Sequence, residues 1–79
     1  MKKQIANLKT GDPVKIGGRL YDVFDEPTKM DDGEYCFVVV DHGKIETVRQ
    51  MDYVTPADLA YESSSNFENG EIEVVESEI

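Results

Sequence analysis

The first 59 residues read as a β meander, short runs of strand-forming residues, some alternating apolar and polar, interrupted by glycines, prolines and acidic turns. Gly11-Asp12-Pro13 reads as a turn that opens a strand at Val14-Lys15-Ile16. Gly17-Gly18 ends it. Arg19 to Phe24 is predicted as the next strand, with Tyr21 and Val23 on one face and Leu20 and Phe24 on the other. Asp25-Glu26-Pro27-Thr28 leads into a loop, and Asp32-Gly33 tolerates the positive φ of a tight turn. Glu34 to Val40 is the clearest strand. β-branched and aromatic residues fill both of its faces, which predicts a central position in a barrel or sandwich. His42-Gly43 is expected to make a hairpin turn, with Lys44 to Val48 returning antiparallel.

Thr55-Pro56-Ala57-Asp58 has the order of a helix start, with an N-cap threonine and proline at the first helical position. There is room for a single 3₁₀ turn before Tyr61. Beyond it, Glu68-Asn69-Gly70-Glu71 contains a strong hairpin dipeptide. A strand at Ile72 to Val75 is one outcome for this tail. A hairpin of Tyr61 to Phe67 with Glu71 to Glu76 is another.

The order of elements resembles the SH3-like small barrel shared by Tudor, KOW and related domains. The residues that carry the likeness are Leu8 to Val14, Gly18 to Val23 and Val54 to Leu59. The resemblance implies an all-β fold of about five antiparallel strands with a short 3₁₀ turn. Residues 1–59 then form the barrel. Residues 60–79 form an acidic C-terminal tail or hairpin, with 71–76 as the candidate added strand. A fold of this kind does not specify an activity.

Size adds one constraint. A chain of 79 residues has room for one domain and a small core. The longest apolar run is Cys36 to Val40, far short of a bilayer span. The start, Met1-Lys2-Lys3-Gln4, lacks the apolar stretch of a signal peptide. A single cysteine makes no internal disulfide, so a cytoplasmic address is the expectation, and Cys36 reads as a small core residue.

Charge changes the picture more. The net charge is −9, and the tail from Ala60 to Ile79 contributes six acids and no base. Such a chain repels nucleic acid and membranes and attracts basic protein surfaces. Two acidic groups are candidate partner-binding residues. Asp25, Glu26, Asp31, Asp32 and Glu34 lie in one loop and hairpin, and Glu68, Glu71, Glu73 and Glu76 lie in the tail. Loose pairing of the tail with the basic head, Lys2, Lys3, Lys9 and Lys15, is the plainer account of the same charges.

Catalytic chemistry finds little support in the residues. His42 sits in a predicted tight turn, and a nucleophile with a base and an orienting group is not apparent. Zinc ligands are too few, Asp31-Asp32-Gly33-Glu34 lacks the spacing of a calcium loop, and Gly17-Gly18 is too short for a phosphate loop. The expectation is a binding protein with no metal and no cofactor.

In size and charge the chain resembles the phage and mobile-element proteins that imitate nucleic acid on a host enzyme. That resemblance implies an inhibitor docking on a basic nucleic-acid-binding surface. The alternative is a barrel that binds a peptide, a ligand or RNA through Tyr21, Phe24, Tyr35 and Tyr53. With Phe37 added, these residues are also the candidates for a Tudor-type aromatic cage. A third reading is a structural subunit that assembles by strand addition at an open edge.

Overall fold

The structure, a computed structural model, describes residues 1–52 and 59–75. Its strands are β1 (Lys2–Gln4), β2 (Pro13–Ile16), β3 (Arg19–Lys29), β4 (Tyr35–Asp41), β5 (Ala60–Ser63) and β6 (Glu71–Val74). They form one antiparallel six-stranded sheet in the order β1-β6-β2-β3-β4-β5. The protein is all-β with a short helix, α1 (Ile45–Arg49), and 3₁₀ turns at Ile5–Asn7, Ser64–Asn66 and Glu68–Gly70. The sheet does not close on itself. Among the described residues, β1 and β5 remain as edges.

The Gly-Asp turn forms as the sequence implied. Gly11 has φ +94°, a conformation that favours glycine. The Asp12 carboxylate accepts the Lys9 N–H at 2.9 Å and the Lys3 ammonium at 3.1 Å. Gly17-Gly18 also takes positive φ and joins β2 to β3.

β3 runs five residues past the expected end at Phe24. Asp25 to Thr28 is strand rather than loop. Pro27 cannot donate to a ladder. The pairing with β4 accommodates it through register shifts between Val23 and Asp25 and between Asp25 and Thr28.

The expected return strand at Lys44 to Val48 is instead α1. Gly43, at φ +82°, turns the chain after β4, and Lys44 N–H bonds back to the Asp41 carbonyl at 3.0 Å. Half-buried Ile45 and buried Val48 are three residues apart, which is a helical face. So short a window satisfies both periods. Glu46 in the first turn and Arg49 in the last complement the helix ends and pair at 3.2 Å.

The tail enters the sheet. β6 lies between β1 and β2, with Lys3 opposite Ile72 and Val14 opposite Val74. A hairpin of Tyr61 to Phe67 with Glu71 to Glu76 does not form, because β5 pairs with β4 and β6 with β1 and β2. Asn69 and Gly70 do adopt positive φ, at +58° and +65°. They complete a crossover rather than a hairpin. The Tyr35 N–H donates to Ser64 Oγ at 3.0 Å, and the Phe67 ring packs 6.1 Å from that of Phe37. Both contacts carry the chain across the core face. The expected 3₁₀ turn at Thr55–Asp58 lies outside the described residues.

One face of the sheet holds the core. Val14, Val23, Phe37, Val39, Ile72 and Val74 are buried there beneath Ile5 and Leu8 from the first 3₁₀ turn. The opposite face of β4 also buries Val38 and Val40, which explains the unbroken apolar run. β4 is nonetheless one strand from an edge rather than central.

Candidate functional site

The strand register sorts the acidic residues into two groups. Asp25 and Glu26 are exposed on the outer half of β3, and Asp31 and Asp32 are exposed in the turn to β4. Asp32 Oδ1 accepts the Glu34 N–H at 3.0 Å and shapes that turn. Glu34 is half-buried and accepts a bond from Ser63 Oγ at 3.2 Å. Met30, 46% exposed, sits at the tip among these carboxylates. Asp25, Glu26, Asp31 and Asp32 have no ion-pair partner among the described residues.

The second group follows β6, at the far end of the neighbouring strands. Glu68 is exposed in the preceding turn. Glu71 accepts a long bond from Gln4 Nε2 at 3.5 Å. Glu73 stands opposite Lys2 on β1 and Lys15 on β2. Directly opposed residues share a sheet face, so this carboxylate is flanked by cations on both sides. The structure does not bring the two acidic groups onto one patch. Glu76 lies outside the described residues.

The aromatic candidates also separate. Tyr21 pairs opposite Asp41 and Tyr35 opposite Lys29, at opposite ends of β4. Six residues of strand put them ~20 Å apart, too far for one cage. Phe37 is core, Tyr35 packs against that core, and Phe24 is half-buried. Tyr53 lies outside the described residues.

Tyr21 alone lines a substantial concavity. A groove of about 470 Å³ runs between the ends of β3 and β4, helix α1 and the start of β5. Its apolar lining includes Tyr21, Val39, Leu59 and Met51. Arg19 spans one wall, stacking 5.6 Å from the Tyr21 ring centroid and bonding Asp41 at 3.0 Å. Lys44 and Thr47 add polar groups to the rim. Sequence reasoning missed Arg19, Asp41 and Lys44 as members of one site. The signal that finds Arg19 and Asp41 is the β3–β4 register, which sets Asp41 beside Tyr21.

His42 is less free than its turn position suggested. Its Nδ1 lies 2.7 Å from Asp22 Oδ1, and Asp22 Oδ2 accepts the Gly43 N–H at 2.8 Å. The Asp22 residue is 7% exposed, while the His42 side chain is 55% exposed. The carboxylate pins the turn that starts α1. Among the described residues, no nucleophile bonds the imidazole. Cys36 lies four residues along β4 from Val40, which stands opposite Asp22, and is therefore roughly 13 Å from the imidazole. The described residues contain no group of three or more His, Cys, Asp or Glu arranged to hold a metal ion.

Comparisons with protein-family models, with characterised proteins and with solved structures find no match. Among the described residues no helix is long and apolar enough to cross a membrane.

Proposed function

We propose that this chain is a small acidic protein-binding module that docks on a basic surface of another protein, of the kind that binds nucleic acid. One observation carries the reading. The β3–β4 hairpin projects Asp25, Glu26, Asp31 and Asp32 with no ion-pair partner among the described residues. Lys29 is the single base in that segment. Carboxylates so placed accept hydrogen bonds from arginine and lysine as phosphates do. They also speed encounter in a salt-dependent way. Nucleic-acid mimicry of the phage or mobile-element kind, acting as an inhibitor in the cytoplasm, is the biological form this takes.

The fold reading that goes with it is the SH3-like small barrel. It rests on the antiparallel meander β2-β3-β4-β5, followed by 3₁₀ turns and a last strand, β6, that returns beside β2.

The test uses a protein retained by the immobilised chain at low salt. Retention should fall in high salt, and added duplex DNA or structured RNA should displace the protein. The variant Asp25→Asn, Glu26→Gln, Asp31→Asn, Asp32→Asn should lose it. Retention that survives this quadruple variant, or that nucleic acid does not compete, overturns the proposal.

A second reading is favoured by the groove beside Tyr21, whose size suits a small ligand or a peptide side chain. Under that reading Tyr21→Ala and Met51→Ala abolish binding while the quadruple hairpin variant keeps it.

A further inference from the structure

The two edges that the sheet leaves open among the described residues are built differently. β1 carries Lys2 and Lys3, charges of the kind that stop an exposed ladder from recruiting another strand. β5 reads Ala60-Tyr61-Glu62-Ser63, with no lysine and no proline. Its register against β4 is unbroken from Cys36 opposite Ser63 to Val39 opposite Ala60, so no bulge twists this edge away. Tyr61 is 75% exposed, the most exposed large apolar side chain among the described residues. It stands opposite Val38, on the sheet face away from the main core.

We infer that β5 pairs with β5 of a second copy of this chain, antiparallel, about a two-fold axis at Tyr61. The charges of the edge select that register. An axis at Tyr61 sets each tyrosine against its copy and places Ala60 opposite the partner's Glu62. An axis at Glu62 would set two carboxylates directly opposite each other, which destabilises a ladder. A shift of one residue turns one copy over and puts Tyr61 beside a carboxylate. In the Tyr61 register, Val38 and Tyr61 of one copy and their equivalents in the other form a continuous apolar stripe. Cross-strand aromatic pairs of this kind add stability beyond the area they bury. A domain of this size also gains from burying surface that one chain cannot cover. The edge strand itself carries the inference, and not the hairpin acids, of which Asp25 stands opposite Val38 one strand in and Glu34 accepts a bond from Ser63 of β5.

Sedimentation velocity over a concentration series reaching hundreds of micromolar tests it. The unaltered chain should pass reversibly from monomer to dimer. Tyr61→Lys should remain monomeric at every concentration with an unchanged far-ultraviolet circular dichroism spectrum. A monomer throughout, an unaltered dimer in Tyr61→Lys, or growth past the dimer by β5 joining β1 overturns the inference. Should Tyr61→Lys fail to fold, cross-linking reads the same register. In a Cys36→Ala background, Tyr61→Cys should form a disulfide dimer under mild oxidation. Glu62→Cys should not, because its copy lies about 8 Å away, beyond the ~7 Å Cα separation a disulfide bridges. Failure of the first to cross-link, or equal cross-linking of both, refutes the register.

Discussion

Removing β6 should unfold the domain rather than trim an appendage. Ile72 and Val74 are 2% and 8% exposed, and both face the main core. Burial of two such side chains contributes roughly 3–6 kcal/mol. β6 also bonds to strands on both sides, and its loss strands β1, which pairs with nothing else among the described residues. Each ladder bond adds about 0.5–1.5 kcal/mol. The whole stability of a domain this long is roughly 4–12 kcal/mol. A chain ending at Gly70 should therefore show no cooperative thermal transition by circular dichroism. Ile72→Ala grades the effect, with an expected loss of about 2–5 kcal/mol. At ~4–8 °C per kcal/mol, its Tm should fall by at least about 8 °C. Glu71→Gln with Glu73→Gln, on partly or fully exposed positions, should cost no more than about 1 kcal/mol. A truncated chain that melts cooperatively near the parent temperature, or an Ile72→Ala variant within ~3 °C of it, refutes β6 as a structural strand.

Val38→Asp places an unpaired carboxylate at a position 7% exposed, and should cost several kcal/mol and abolish the cooperative melt. Asp22→Ala should destabilise by about 1–3 kcal/mol in urea titration, because it orphans the Gly43 N–H. His42→Ala should cost less than Asp22→Ala, since the ring is half exposed and Gly43 keeps its acceptor. The free protein should not bind DNA or RNA at physiological salt, given its net charge of −9, and a micromolar Kd by fluorescence anisotropy would contradict this.

The parts of this fold that are legible in the sequence are local. Gly11, Gly17-Gly18 and Gly33 mark turns because the chain needs positive φ there. Alternation then locates β2 and the first half of β3, and a continuous β-branched and aromatic run locates β4. The parts that are not legible depend on distant partners. Lys2-Lys3-Gln4 has no strand pattern, and its extended state follows from pairing with β6, some seventy residues later. α1 was hidden because Ile45 and Val48 satisfy a helical period within too few residues to exclude a strand. Asn69-Gly70 advertised a hairpin, and its dihedral angles are of that kind, but Phe67 docking on Phe37 decides where the chain goes next. The groove followed the same rule. Arg19, Tyr21 and Asp41 meet through the β3–β4 register, and no local spacing announces that.

Register also changes what the net charge means. By composition the tail is the most acidic segment, with six acids and no base after Leu59. Within the sheet, though, Glu73 lies between Lys2 and Lys15, and Lys3 bonds Asp12. The basic head and the acidic tail are brought together by β1 and β6, so part of the tail's field closes on itself. Among the described residues the hairpin acids have no such ion-pair counterweight. Asp25, Glu26, Asp31 and Asp32 face Lys29 alone within their own segment. Exposed charges matter to a partner within about a Debye length, ~8 Å at physiological salt. Over that distance Asp25 adds to Glu26 and Asp31 to Asp32, as two adjacent pairs, while the carboxylates of β6 are partly cancelled by their neighbours. A segment's charge count is thus a poor guide to the field it presents, and strand pairing corrects it. On this argument, neutralising the four hairpin acids should flatten the salt dependence of partner binding more than neutralising Glu71 and Glu73. The reverse ranking would place the docking surface on β6.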